Sequence, residues 1–296
     1  RVDRRQRQMC IRDSCVALGV LFLRQAFYRG VENPEAIEQL GLSVLAAIPY
    51  SRQQERLEKE RKGDVLGHTP KLLAASTPGD LANEAIRSLR TNLHFALLEA
   101  RNNVVMLTSP APGAGKSFVS SNLAAIVAQS GLRTLLIDAD MRKGYLHRVF
   151  GLTPRHGLSD ALSSHRPLSE VILPTEVPEL DFISCGFAAP NPSELLMHDN
   201  FAQLLRDASS MYDLVIVDTP PVLAVTDAAL VGRLCGICLL VTRFGQSPAS
   251  EIDTARRRLG QSGIHLQGAI LNGVKRKAST AAYDYGAYAY RYDAKD

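Results

Sequence analysis

The sequence is notable first for what it lacks. Five cysteines in 296 residues do not make a disulfide framework, so the fold has to be held by a hydrophobic core. Cys235 and Cys238 form a C-x-x-C, but no second pair and no nearby histidine completes a metal-ligand set. They sit in the apolar run Cys235–Val241 and read as packing residues of a protein in a reducing compartment. Charge of one sign is missing too: 34 basic against 30 acidic residues leave a net +4, with the basic residues scattered. The run Arg256-Arg257-Arg258 reads as the wet face of a helix, and no nucleic-acid partner is expected. There is no internal repeat.

A membrane-spanning length is also missing. The apolar run Cys15–Leu23 is about half of the ~20 residues that a bilayer requires. It fits a short core helix, a signal h-region or the stump of a transmembrane helix. Arg24 and Arg29 follow it, as expected on a cytoplasmic flank, and favour the stump. The chain opens on Arg1, and residues 1–14 show no periodicity, so 1–30 reads as a fragmentary amino terminus. At the other end, Ala282–Tyr292 lacks Leu, Ile and Val altogether. It nevertheless holds five of the nine tyrosines: Tyr283, Tyr285, Tyr288, Tyr290 and Tyr292. Such a segment cannot build a core, and residues 276–296 are expected to form a disordered tail.

Between these ends the composition is that of an ordinary globular domain. Residues 52–62 are dense in charge and Gly63 to Pro78 is rich in turn formers, so 31–78 reads as a linker ahead of a domain at 79–275. A helix is predicted from Asp80 to Glu99, with Ile86, Leu89, Leu93 and Leu97 as its apolar stripe. Short apolar runs follow at 104–107, 134–137, 180–183, 214–217, 237–242 and 266–271, separated by helix-length segments. Unbroken apolar strands alternating with helices predict an α/β fold, a mostly parallel sheet with helices on both faces.

The chemistry concentrates after the first of these strands. Val104–Thr108 leads into Ser-Pro-Ala-Pro-Gly-Ala-Gly and then Lys116-Ser117, followed by an apolar helix. This is the setting of a P-loop, in which backbone N–H groups and a helix amino terminus hold phosphates. Pro112, Gly113, Ala114, Gly115, Lys116, Ser117 and Phe118 are the candidate nucleotide-binding residues. Lys116 would bridge the β and γ phosphates of ATP, and the Ser117 hydroxyl would ligate Mg²⁺. One departure stands out: the first glycine of the usual motif is Pro110 here. Two further apolar runs end in acid. Leu135–Arg142 places Asp138 and Asp140 at the carboxyl end of one strand, and Leu214–Pro221 places Asp218 at the end of another. Ligands of open α/β sheets bind at that edge, and Asp218 suits a hydrated Mg²⁺.

These three motifs resemble the P-loop tyrosine autokinases of bacterial capsule and exopolysaccharide biosynthesis. Those enzymes carry a Walker A, a Walker A′ of apolar residues followed by Asp-x-Asp-x-Arg, and a Walker B ending Asp-Thr-Pro-Pro. Asp138, Asp140 and Arg142 complete the A′ pattern, and Glu84, Arg87 and Arg90 match an E-x-x-R-x-x-R element. Pro190–Leu196 and Leu271–Val274 look familial as well, so the resemblance runs from about residue 29 to the end.

The resemblance implies ATP-dependent tyrosine autophosphorylation, with Lys116, Asp138 and Asp140 catalytic, Asp138 as the group that orients or deprotonates the tyrosine, and Asp140 with Ser117 and Asp218 near Mg²⁺. Residues alone leave the division between Asp138 and Asp140 open. It further implies a ring-like homo-oligomer assembled through Glu84, Arg87 and Arg90, against a bland alternative of a surface i,i+3 ion pair. A transmembrane chain-length-regulator region on the same chain, an inner-membrane location with the kinase domain on the cytoplasmic side, and a cognate tyrosine phosphatase are also implied. The Tyr-rich tail becomes the phosphoacceptor, reaching a neighbouring active site on about 20 residues of chain, an r.m.s. reach near ~25 Å. Two rivals remain. A partitioning or cytoskeletal-type P-loop ATPase would carry a signature lysine where Ala111 stands, and a non-enzymatic membrane scaffold would not need intact Lys116, Ser117 and three aspartates.

Overall fold

The computed structural model describes residues 30–63, 72–153, 156–164 and 166–275. The alternation read from the sequence becomes one eight-stranded sheet. Its strands are β1 (Val44–Pro49), β2 (Val104–Thr108), β3 (Thr134–Asp138), β4 (Leu173–Pro174), β5 (Leu180–Ile183), β6 (Leu214–Asp218), β7 (Ile237–Arg243) and β8 (Gly268–Val274). They lie in the order β1-β8-β7-β2-β6-β3-β5-β4. Every neighbouring pair is parallel except the two-residue β4, which runs antiparallel to β5.

Strands β2, β3 and β6 are buried at every position, which is why they read as continuous apolar runs. Successive side chains point to opposite faces. Val105 and Leu107 pack with the helices Leu81–Leu98 and Lys116–Ala128 on one face. Val104 and Met106 pack with the helices Asp199–Met211, Asp227–Gly232 and Ala249–Gln261 on the other. Cys235 and Cys238 belong to this second core as free thiols, and burial pushes both thiol pKa values up, Cys238 to about 12.

The predicted helix over 80–99 spans Leu81–Leu98. Asp80 caps it by accepting a 2.8 Å hydrogen bond from the Ala82 N–H, a contribution of about 1 kcal/mol. Ile86, Leu89 and Leu93 are fully buried against the sheet, while Leu97 is only partly covered.

The reading of 31–78 as a linker is corrected. Residues 44–49 form edge strand β1, paired in parallel with β8, and Ile48, Leu72 and Leu73 are core residues. The charged stretch is itself a helix, Arg52–Gly63. Its dense charge marks a solvated helix, and the short β1, partly exposed at most positions, carries too weak an apolar signal to stand out. The sheet domain thus takes in the chain from Gly30 onward, whose neighbour Val31 exchanges backbone hydrogen bonds with Gly245 and Ser247 just beyond β7. The other end of the described chain, Lys275, follows β8, and its ammonium lies 4.9 Å from the centre of the Tyr50 ring. Both ends thus sit at the carboxyl edge of the sheet. Among the described residues no helix is long and apolar enough to cross a membrane. The Cys15–Leu23 run and all five tail tyrosines lie outside the described residues.

Candidate active site

Three chain segments meet at the carboxyl edge of the central strands. β2 is flanked by β6 and β7, and β6 lies between β2 and β3. Leu107 pairs with Asp218, and Asp218 pairs in register with Asp138. Parallel pairing therefore delivers the P-loop and both strand-end carboxylates to one rim, although 102 positions separate Lys116 from Asp218.

The loop after β2 is held from two sides. Gly113 and Gly115 both have φ of +85°, the left-handed region that glycine adopts without strain. At Gly115 the side is closed as well: a Cβ there would lie 2.0 Å from Asn272 Nδ2, which donates a 2.9 Å hydrogen bond to the Ala114 carbonyl. At Gly113 nothing lies within 4 Å of such an atom. Pro110 fits this loop because its carbonyl is what the loop uses, accepting from the Leu223 N–H at 3.2 Å, and no N–H is called for. Ala111 O accepts from Ser109 Oγ at 3.0 Å. Gly115 also ends the loop at the amino terminus of the helix Lys116–Ala128, whose first N–H groups face the rim.

Lys116 is 9% exposed, and its ammonium donates to Asp218 Oδ2 at 3.2 Å. Ser117 Oγ donates to the same oxygen at 2.8 Å. Burial alone would lower the lysine pKa, but Asp218, Asp140 and Asp138 outweigh it and hold the ammonium above its ordinary value. Burial pushes the Asp218 carboxyl up, with Lys116 and Ser117 opposing it. The other Asp218 oxygen, Oδ1, is buried without any hydrogen-bond partner. A carboxylate oxygen so placed beside a serine hydroxyl fits a metal-bound water, so Ser117 and Asp218 suit Mg²⁺.

Asp138 is 1% exposed. Its oxygens accept from the N–H groups of Asp140 and Leu146, each at 3.2 Å. Burial and then the neighbouring Asp218 charge push its carboxyl up to about 7, against the opposing effect of those N–H groups and Lys116. Burial at a strand end, in register with Asp218, makes this carboxylate a stronger base than an exposed aspartate. Asp140 is partly exposed and accepts from Lys143 N at 3.0 Å. Pro112 lies in the loop and Phe118 in the first turn of the helix Lys116–Ala128.

Arg142, next along, turns away from the P-loop. Its Nε donates to Asp227 Oδ2 at 2.9 Å and its Nη2 to Oδ1 at 3.2 Å. Ser193 Oγ accepts from the same Nη2 at 3.0 Å and donates to Asp227 Oδ1 at 2.7 Å. Asp227 escaped the sequence reading, as an acidic residue at the start of a helix looks like an ordinary helix terminus. Tyr145, also not singled out, lies beneath the Arg61 guanidinium, 5.5 Å from its ring centre. Glu84 and Arg87 form an exposed ion pair on the helix Leu81–Leu98, and Arg87 also donates to the Pro78 carbonyl at 3.2 Å. Arg90 reaches inward to the Ile126 carbonyl at 3.4 Å.

Comparison with known proteins agrees with this geometry. Residues 103–232 match a family model described as an AAA domain. The tyrosine-protein kinase wzc of Salmonella typhimurium is 49% identical over 277 residues, which are 93% of this chain and 38% of that protein. The chain thus spans little more than a third of the curated relatives that it matches. The kinase domain of Escherichia coli tyrosine kinase ETK superposes with a TM-score of 0.78 at 49% identity, covering 85% of this chain and 97% of that domain. The septum site-determining protein MinD of Pyrococcus horikoshii, complexed with Mg-ADP, shares the fold alone, at 20% identity and a TM-score of 0.50. The chain belongs to the bacterial tyrosine-protein kinases, of which it carries a P-loop kinase domain.

Proposed function

We propose that this chain transfers the γ-phosphoryl group of ATP to tyrosine, with its own cluster Tyr283, Tyr285, Tyr288, Tyr290 and Tyr292 as acceptors, in the control of capsule or exopolysaccharide polymerisation and export. The observation that carries this reading is the meeting of Lys116, Ser117, Asp138 and Asp218 at one rim, with a buried carboxylate oxygen left unpartnered. In the transfer, a phenol oxygen bonds to the γ phosphorus as the bond to the β–γ bridging oxygen breaks, and ADP leaves. The transition state is loose, so the residues mainly position groups and neutralise charge.

Lys116 supplies a fixed cation beside the phosphates. The loop from Pro112 to Gly115 and the N–H groups of Lys116, Ser117 and Phe118 hold them. Ser117 and Asp218, with Asp140 nearby, would hold Mg²⁺, which when bound neutralises phosphate charge. Asp138 receives the acceptor hydroxyl. With a carboxyl pushed up to about 7, it is far better matched to a phenol than an ordinary aspartate, and it orients the nucleophile and takes its proton late in the transfer.

Acceptors and site need not belong to one chain. The exposed Glu84–Arg87 pair, with Arg90 at its flank, supports a homo-oligomeric ring in which one tail serves a neighbour. Phosphates on all five tyrosines add roughly −8 to −10 charge per tail, which favours disassembly. The apolar run Cys15–Leu23 supports an inner-membrane anchor continuous with a chain-length-regulator region, with the kinase domain on the cytoplasmic side. A tyrosine phosphatase is the matching partner. Mass spectrometry of the protein from cells tests the acceptor assignment: phosphate is expected within 283–292, and phosphate confined to other residues would overturn it.

A further inference from the structure

The loop after β5 lies directly against Asp138. A Cβ added to Gly144 would meet Cys185 Sγ at 2.5 Å and Asp138 Oδ2 at 2.8 Å, so the three are in immediate contact. Two residues beyond Cys185, the Phe187 ring is 68% exposed. It does not sit on a loose flap. Ser159 Oγ donates to the Phe187 carbonyl at 2.8 Å, and the Leu158 and Ser159 N–H groups hold the carbonyls of Ser184 and Cys185 at 2.8 and 3.1 Å. The same segment ends on the helix Pro192–Met197, where Ser193 is tied to Arg142, two residues from Asp140. Met197, one helical turn after Ser193 and so on the same side, is 70% exposed. Two large apolar side chains are thus held in water outside the core, Phe187 on the loop that lies against Asp138 and Met197 at the end of the helix that Ser193 ties to Arg142.

The tyrosine rings are the only large apolar surfaces that the tail's sequence offers. Tyr288, Tyr290 and Tyr292 stand at every second position, separated by Ala289 and Arg291, and Tyr283 and Tyr285 repeat that spacing. On an extended backbone, side chains at i and i+2 project to one side, about 7 Å apart. When one tyrosine enters beside Asp138, its i±2 neighbours face the same surface one ring-width away. We infer that Phe187 and Met197 form an apolar docking edge that recognises the i±2 ring of a Tyr-x-Tyr segment of this chain's tail, making the kinase selective for tyrosine clusters over isolated tyrosines. Offset ring pairs and sulfur–ring contacts recognise such rings without reading the residues between them. The described chain ends at Lys275 on the same edge of the sheet. The acceptors follow 8 to 17 residues later, within a contour length of roughly 30–60 Å. The inference rests on the reading of Asp138 as the group that receives the acceptor.

Two peptides of residues 281–296 test it, each with Tyr290 as its single tyrosine and the other four replaced by Phe in one and by Ala in the other. Each is incubated with the full chain and Mg-ATP, and peptide phosphate is measured by mass spectrometry. The Phe peptide is expected to be used with a kcat/KM about three- to ten-fold higher, chiefly through a lower KM. Phe187→Ala with Met197→Ala should bring the ratio close to one, and Phe187→Tyr should keep it. Equal use of both peptides by the wild type, or an unchanged ratio in the double variant, overturns the docking edge and leaves the acceptor reading standing. Phosphorylation of neither peptide overturns the acceptor reading, and the docking edge falls with it.

Discussion

Arg142 forks onto the fully buried carboxylate of Asp227, with Nε 2.9 Å from one oxygen and Nη2 3.2 Å from the other. The pair joins the loop that carries Asp140 to the helix that follows β6, and Ser193 bridges both partners. Removing the cation strands a buried carboxylate with one serine hydroxyl. Arg142→Ala is expected to lower stability by about 2–4 kcal/mol, and Ser193→Ala by about 1 kcal/mol, in urea denaturation. The two effects should be non-additive, because they share one acceptor.

Asp138 gives a pH-dependent prediction for the protein free of nucleotide and metal. Its folded-state pKa, about 7, stands above the unfolded value, so its contribution favours the folded state below the unfolded value and is lost as pH rises through about 7. At pH 8 the wild type buries a charge that Asp138→Asn does not. The variant should be more stable by on the order of 2–4 kcal/mol at pH 8, and the difference should fade toward pH 4. Melting temperatures of both proteins across that range, in a chelating buffer, check the sign.

The P-loop glycines separate backbone strain from crowding. Gly113 and Gly115 share a φ of +85°, but only Gly115 lies against Asn272. Gly113→Ala is expected to cost about 1 kcal/mol of strain. Gly115→Ala must also displace Asn272 from the Ala114 carbonyl, and ATP binding should weaken ten-fold or more beyond the Gly113 variant, measured with a fluorescent nucleotide.

A truncation tests the corrected domain boundary. A chain beginning at residue 79 loses β1, the strand that pairs with β8, together with the buried Ile48, Leu72 and Leu73. It is expected to show no cooperative thermal transition, whereas a chain beginning at Gly30 unfolds cooperatively.

The central strands were legible because burial on both faces leaves a continuous apolar run, and β2, β3 and β6 are covered at every position. Edge strand β1 was not, since it is only partly covered and is followed by a helix whose charges look like linker. The P-loop and the strand-end aspartates were legible because their chemistry is local: a glycine loop after a strand, and an acid at a strand's end. What no local pattern carries is register. That Asp138 stands opposite Asp218, that Asn272 closes over Gly115 and that Asp227 anchors Arg142 all follow from pairings between segments far apart in the chain. Asp138's raised pKa is the clearest case, because it depends on burial and a neighbour that only the sheet supplies.

The most direct test of tyrosine phosphorylation is incubation of the full chain with Mg-ATP, followed by anti-phosphotyrosine detection, beside Lys116→Met. Lys116 is the ion-pair partner of buried Asp218, so thermal melting of the variant is measured alongside to separate lost activity from lost folding. A labelled wild type and a silent, folded variant are expected. ATP hydrolysis without phosphotyrosine in the wild type, or equal labelling of the variant, would contradict the proposed transfer.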